Sequence, residues 1–122
     1  MLKVKIYQTD KNISRDSFVK SLVVNEFTDD EGIGFKIIND NVDDFRFQFI
    51  EKVLTLQQIE TVDGESSEVE IVSFIKTNFL IRFNSLNALI ILNPPRSVGY
   101  SYQMVRELLL KSYNLVPITF NL

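Results

Sequence analysis

The chain reads as a two-layer α+β sandwich: a curved, mostly antiparallel β-sheet of about five to seven strands, with two helices on one face. Three observations predict this. Most of the 122 residues lie in segments whose apolar residues recur with period two, the spacing of half-buried strands. Two other segments, one following Ser14 and one following Gly99, switch to helical spacing. The composition is 45% hydrophobic and 24% charged, that of a chain able to bury a core.

The elements follow in order. Leu2, Val4 and Ile6 alternate with Lys3, Lys5 and Tyr7, which predicts a strand with the lysines and the tyrosine turned to water. Ser14 has the oxygen a helix N-cap needs, and Asp16 suits the positive end of the helix dipole. Ile13 and Phe18 stand at the two positions of a hydrophobic staple. Phe18, Val19, Leu22 and Val23 form the apolar stripe of a short helix from Arg15 to about Asn25.

After the acidic turn Asp29-Asp30-Glu31-Gly32, the alternation Ile33, Phe35, Ile37 predicts a second strand. Asn39-Asp40-Asn41 turns the chain into a third, where Phe45, Phe47 and Phe49 alternate with Arg46 and Gln48. Leu54 and Leu56 then fall on the opposite parity. That predicts a bulge or break near Glu51-Lys52, because a one-residue slip sends every side chain to the other face.

Thr61 to Ser67 contains Asp63-Gly64 and reads as a hairpin loop. Val69, Ile71, Ser73 and Ile75 form a strand, interrupted at Lys76-Thr77-Asn78. Phe79, Ile81 and Phe83 form another, set against Arg82 and Asn84. The continuous run Ala88 to Leu92 fits a central strand covered on both faces.

Asn93-Pro94-Pro95 ends that strand, since proline has no N–H for a ladder. Ser97 or Ser101 caps the second helix, whose core face carries Ser101, Met104, Val105, Leu108 and Leu109, and Asn114 suits its C-cap. Val116, Ile118, Phe120 and Leu122 alternate in a last strand, which Pro117 assigns to an edge. The resulting order is β-α-β-β-β-β-β-α-β.

Length predicts one domain over residues 1–122. The apolar ending in mid-pattern raises the alternative of an N-terminal domain of a longer protein. The richness in Asn, Ile, Phe and Lys suggests an AT-rich bacterial genome. The opening MLKVKIYQTDKN lacks the apolar run of a signal peptide, and no stretch approaches the ~18 apolar residues of a membrane helix. The expectation is a soluble, cytoplasmic protein with no membrane partner.

The chain contains no cysteine and no histidine. Disulfides, thiolate metal sites, Ser-His-Asp and Cys-His catalysis are therefore outside its own chemistry. Carboxylates, lysines and tyrosines remain. The clusters Asp29-Asp30-Glu31 and Asp40, Asp43, Asp44 lack the ligand ladder of an EF-hand loop and read as solvated turns. The sequence assigns no catalytic, cofactor or metal residue.

Two candidate surfaces remain. Lys3, Lys5, Tyr7, Arg46, Gln48, Arg82 and Asn84 share the polar parity of their strands. If those strands are neighbours, they make one locally basic sheet face of the kind that nucleic-acid-binding modules use. A solvated sheet face has the same pattern. Arg96 and Ser97, before a helix start at Val98-Gly99, can hold an anion, although no complete phosphate loop is present. Tyr100 and Tyr102 suit an interface.

The net charge of -3 opposes a general nucleic-acid binder. The primary expectation is a non-enzymatic binding or assembly module that meets a protein partner, or a second copy, through a sheet edge or helix face. The alternative is a nucleic-acid-binding domain using the basic face.

Overall fold

A computed structural model describes residues 3–41, 44–83, 88–92, 99–111 and 113–118. Six strands form one antiparallel sheet, and two helical segments lie on one of its faces. The elements run β1 Val4–Thr9, α1 Arg15–Val24, β2 Ile33–Asp40, β3 Phe45–Glu60, β4 Ser66–Arg82, β5 Ala88–Leu92, α2 Gly99–Met104 and β6 Leu115–Pro117. The order across the sheet is β2-β3-β4-β5-β1-β6. The connection carrying α1 therefore crosses from one side of the sheet to the other, and β5 and β1 sit inside it.

The core lies between helices and sheet. Phe45, Phe47 and Phe49 are fully buried and alternate with exposed Arg46 and half-buried Gln48, as the sequence predicts. Phe18 and Leu22 of α1 meet Phe35, Phe79, Ile81, Leu89 and Ile91 in the same cluster. Phe18 contacts Phe45, Phe47 and Phe83 edge to face, and Phe47 stacks on Phe79 at 5.1 Å. Such geometries add about 0.5–1.5 kcal/mol per pair beyond area burial.

Local signals explain the ends of α1. The Ser14 hydroxyl accepts from the Ser17 N–H, and Ile13 is buried beside the helix start with Phe18. Beyond the helix, Glu26 bridges to Phe35 in parallel, so residues 25–27 cover part of the β2 edge. Gly34 allows this approach: a Cβ there would collide with the Phe27 backbone.

Several expectations are corrected. β3 and β4 pair without a register shift from Phe45↔Ile81 to Glu60↔Ser66, so neither the break near Glu51-Lys52 nor the interruption at Lys76-Thr77-Asn78 exists. The segments expected as separate strands on either side of Lys76 are one strand. Polar residues at both parities do not stop a ladder, because the bonds that make it are between backbones.

β1 and β6 have the opposite facing to that expected. Tyr7 pairs with fully buried Leu89, and Lys5 with fully buried Ile91, so both point to the helix-covered face. Val4 and Ile6 point to the helix-free face. On β6, Leu115 and Pro117 share the parity of Thr9 and Tyr7, which leaves Val116 exposed. Antiparallel pairing with β5 decides this: partners stand on the same face, so Leu89 and Ile91 carry Tyr7 and Lys5 with them.

The second helix also departs from the expected stripe. α2 widens after Met104 into a π-helix over Val105–Leu109, closed by the Leu110 N–H on the Val105 carbonyl at 3.0 Å. The extra residue per turn buries Leu109 and Leu110 and leaves Leu108 39% exposed, where α-helical spacing puts Leu108 in the core. Ser101 is buried inside α2 and is not its cap. Asn114 is not the C-cap, which is Leu110. Asn114 instead binds Asp10, through its backbone N–H at 3.0 Å and its amide at 3.1 Å, and ties β6 to the end of β1. Ser97, Asn84, Phe120 and Leu122 lie outside the described residues.

Candidate functional site

β3 and β4 are 16 and 17 residues long, about three times the usual strand. Their inner halves form the middle of the sheet. β2 ends its pairing at Ile33↔Glu51, and β5 reaches only Asn78 on β4. At the next row the Lys52 N–H still donates to the Gly32 carbonyl at 2.8 Å and Phe27 meets Phe74 edge to face at 6.1 Å; past it, among the described residues, the two strands continue alone as a hairpin arm. It extends about nine residues past the sheet, or roughly 30 Å at 3.3 Å per residue.

The turn at the tip follows from its sequence. Asp63-Gly64 gives the chain a residue able to take positive φ, and Gly64 has φ 81°. The Thr61 N–H donates to the Glu65 carbonyl at 2.7 Å, and the Gly64 N–H to the Thr61 carbonyl at 3.0 Å. The strands therefore stay in register up to the turn.

Both faces of the arm are apolar and exposed. Strand pairing sorts them. Val53, Ile59, Val69, Ile71 and Ile75 share the parity of the core phenylalanines. Leu54, Leu56, Val72 and Phe74 share the parity of the helix-free face. Leu54 is 58% and Leu56 67% exposed, and the others named here except Val53 are all at least 40% exposed. Fully burying one such side chain is worth about 1.5–3 kcal/mol. Monomeric soluble proteins seldom leave a contiguous patch of this kind in water.

Charge on the arm is sorted by position. Lys52 and Lys76 stand at its base. Between them, residues 53–75 include Glu60, Asp63, Glu65, Glu68 and Glu70 and no lysine or arginine. Lys52 forms an ion pair with Asp29 at 3.1 Å. Glu51 lies in the base on the core-side parity, and burial raises its carboxyl above the ordinary value.

The residues singled out by sequence are divided by the fold. Arg46, Gln48 and Arg82 do lie together on the helix-free face. There Arg46 pairs with Asp44 at 2.9 Å, and Gln48 donates to Asn78 at 2.8 Å. Leu80, Ile90, Ile6 and Val4 share that face, so its middle is apolar. Lys5 and Tyr7 are on the opposite face. Tyr7 stacks on Tyr102 at 4.4 Å, and Lys3 is exposed just before β1. Tyr100 is exposed with its ring 5.8 Å from Phe49. Arg96 and Ser97 lie outside the described residues.

The acidic turns hold the surface together. Asp40 pairs with Arg15, whose guanidinium also lies 6.0 Å from the Phe45 ring centroid. Among the described residues, no group of three or more acidic side chains is placed to hold a metal ion. A hollow of about 310 Å³ is lined by Arg106, Glu107, Lys111, Tyr113, Asn114 and Leu115. Another, of about 250 Å³, lies between α1 and β2 beside Leu22, Glu26 and Lys36.

The arm is the feature that sequence reasoning missed. Its signal was present in the apparent phase slip: apolar residues at both parities on two strands joined by a good turn. Among the described residues, no helix is long and apolar enough to cross a membrane. Comparison of the chain with protein-family models, curated proteins and solved structures found no match, so the geometry of the arm and of the sheet is what a functional reading has to stand on.

Proposed function

We propose that this chain is a non-enzymatic binding or assembly module whose contact element is the β3–β4 arm. The observation that carries this reading is the exposure of large apolar side chains on both faces of a two-stranded ribbon. A ribbon of that kind is marginal in water by itself and gains most from being covered. The globular part supplies a rigid base: β3 and β4 are anchored in the core by Phe45, Phe47, Phe49 and Phe79.

The nucleic-acid alternative has less support. The basic face it needs loses Lys5 and Tyr7 to the helix-covered side, and two of the cations left on it, Arg46 and Lys52, are already paired to Asp44 and Asp29. The arm is acidic over residues 53–75, which repels phosphate.

The test is site-specific photo-crosslinking in cells, with the reactive residue placed at Leu56 on the arm or at Val24 on α1. Val24 is 82% exposed and lies off the arm. A discrete product from Leu56 and none from Val24 is expected. No discrete product from Leu56, or equal products from both, would overturn the assignment of the arm.

A further inference from the structure

We propose that the arm pairs with the arm of a second copy of this chain, face to face and antiparallel, about a two-fold axis at the Leu54–Val72 row. This rests on the reading of the arm as a contact element and names its partner.

The charge order along one face selects both partner and direction. On the parity of the helix-free face, the rows run outward from the sheet as Ile50–Lys76, Lys52–Phe74, Leu54–Val72, Leu56–Glu70, Gln58–Glu68 and Glu60–Ser66. The base is basic, the centre apolar and the tip acidic. A two-fold axis at the central row places each row on the row equally far to the other side. Lys76 of one copy then meets Glu68 of the other. Lys52 comes over Leu56 and Phe74 over Glu70, so that Lys52 and Glu70 stand diagonally across the interface. Glu60 reaches the row that carries Gln48 and its β2 neighbour Lys36. An isologous dimer requires one patch to complement itself in this way.

The other arrangements lack this match. Parallel arms would set the acidic tips against each other and the basic bases against each other. The opposite face of the arm carries Glu51 at its base and no basic residue, so its charges complement nothing on a second copy. Lys76 is exposed and, among the described residues, has no ion-pair partner. Two arms overlapped along their length touch over roughly 30 Å. With a ribbon about 10 Å wide the footprint is roughly 300 Å² per partner, below the roughly 800 Å² of a standard interface, so the dimer is a weak, reversible one.

The experiment uses the full chain and measures self-association by sedimentation velocity and light scattering, with circular dichroism to check folding. The chain is expected to form a dimer of twice 14.1 kDa that weakens with added salt. Lys76→Glu and Glu68→Lys are each expected to weaken the dimer about tenfold or more. The double variant, or an equimolar mixture of the two single variants, is expected to regain most of the affinity. Recovery cannot come from a variant that merely misfolds.

A chain that stays monomeric at all concentrations overturns the proposal, as does a dimer indifferent to both charge reversals. In the crosslinking experiment, a Leu56 product containing a different protein overturns the second copy and leaves the arm as contact element. Absence of any Leu56 product removes both.

Discussion

Tyr7 of β1 and Tyr102 of α2 stack with ring centroids 4.4 Å apart and 21° between their planes, and so join the strand next to one edge of the sheet to the helix above it. The contact explains why Tyr7 faces inward. Its ring fills space under α2, and Ile6 is left to the helix-free face.

Tyr102 should ionise late. Burial raises its phenol above the ordinary value of 10.0, the neighbouring Tyr7 phenol raises it further, and Arg106 pulls it down. The folded state then keeps a proton that the unfolded state has lost, so this group's contribution to stability declines as pH rises past 10.0. Ultraviolet titration should show a late phenol among the four tyrosines. That component should vanish in Tyr102→Phe and move down in Tyr7→Leu.

Glu51 should oppose folding when ionised. Its folded-state carboxyl is raised by burial, so the native state binds the proton more readily than the unfolded one above about pH 4.5. Stability carried by this group is highest in acid and falls as pH rises through its folded value. Glu51→Gln should therefore raise the melting temperature at neutral pH, with the gain disappearing below the ordinary carboxylate range. An equal gain at all pH values would contradict the assigned cause.

Thr77 has a buried hydroxyl with no hydrogen-bond partner among the described residues, on the core-side parity opposite Phe49. An unsatisfied buried polar group costs about 1–3 kcal/mol, and valine has nearly the same shape. Thr77→Val should stabilise the chain by about 1 kcal/mol in urea unfolding. A loss of stability would mean that the hydroxyl is bound in solution.

Phe47 and Leu56 are apolar residues of one strand with opposite roles. Phe47→Ala should cost about 3–5 kcal/mol, the range for a fully buried aromatic. Leu56→Ser, measured at a dilution where the chain is monomeric, should change stability by about 0.5 kcal/mol or less. At association concentrations the order reverses: Leu56→Ser should abolish self-association, and the effect of Phe47→Ala on it should track only the fraction folded.

The alternation of Phe45, Phe47 and Phe49, the Ser14 cap with its Ile13–Phe18 staple, and the Asp63-Gly64 turn were all legible in the sequence. Each depends on neighbours within a few residues. A period-two pattern places side chains on two faces through backbone geometry alone, and a serine oxygen caps whichever helix begins beside it.

What the tertiary structure decided is which of those two faces is covered. Tyr7 and Lys5 turn inward because their partners on β5, more than 80 residues away, face inward. Leu110 replaces Leu108 in the core because the helix widens by one residue as it meets the sheet. The arm is exposed because β2 and β5 stop where β3 and β4 continue. Burial is a property of what lies across the chain from a residue, and alternation along the chain carries no record of where its neighbours end.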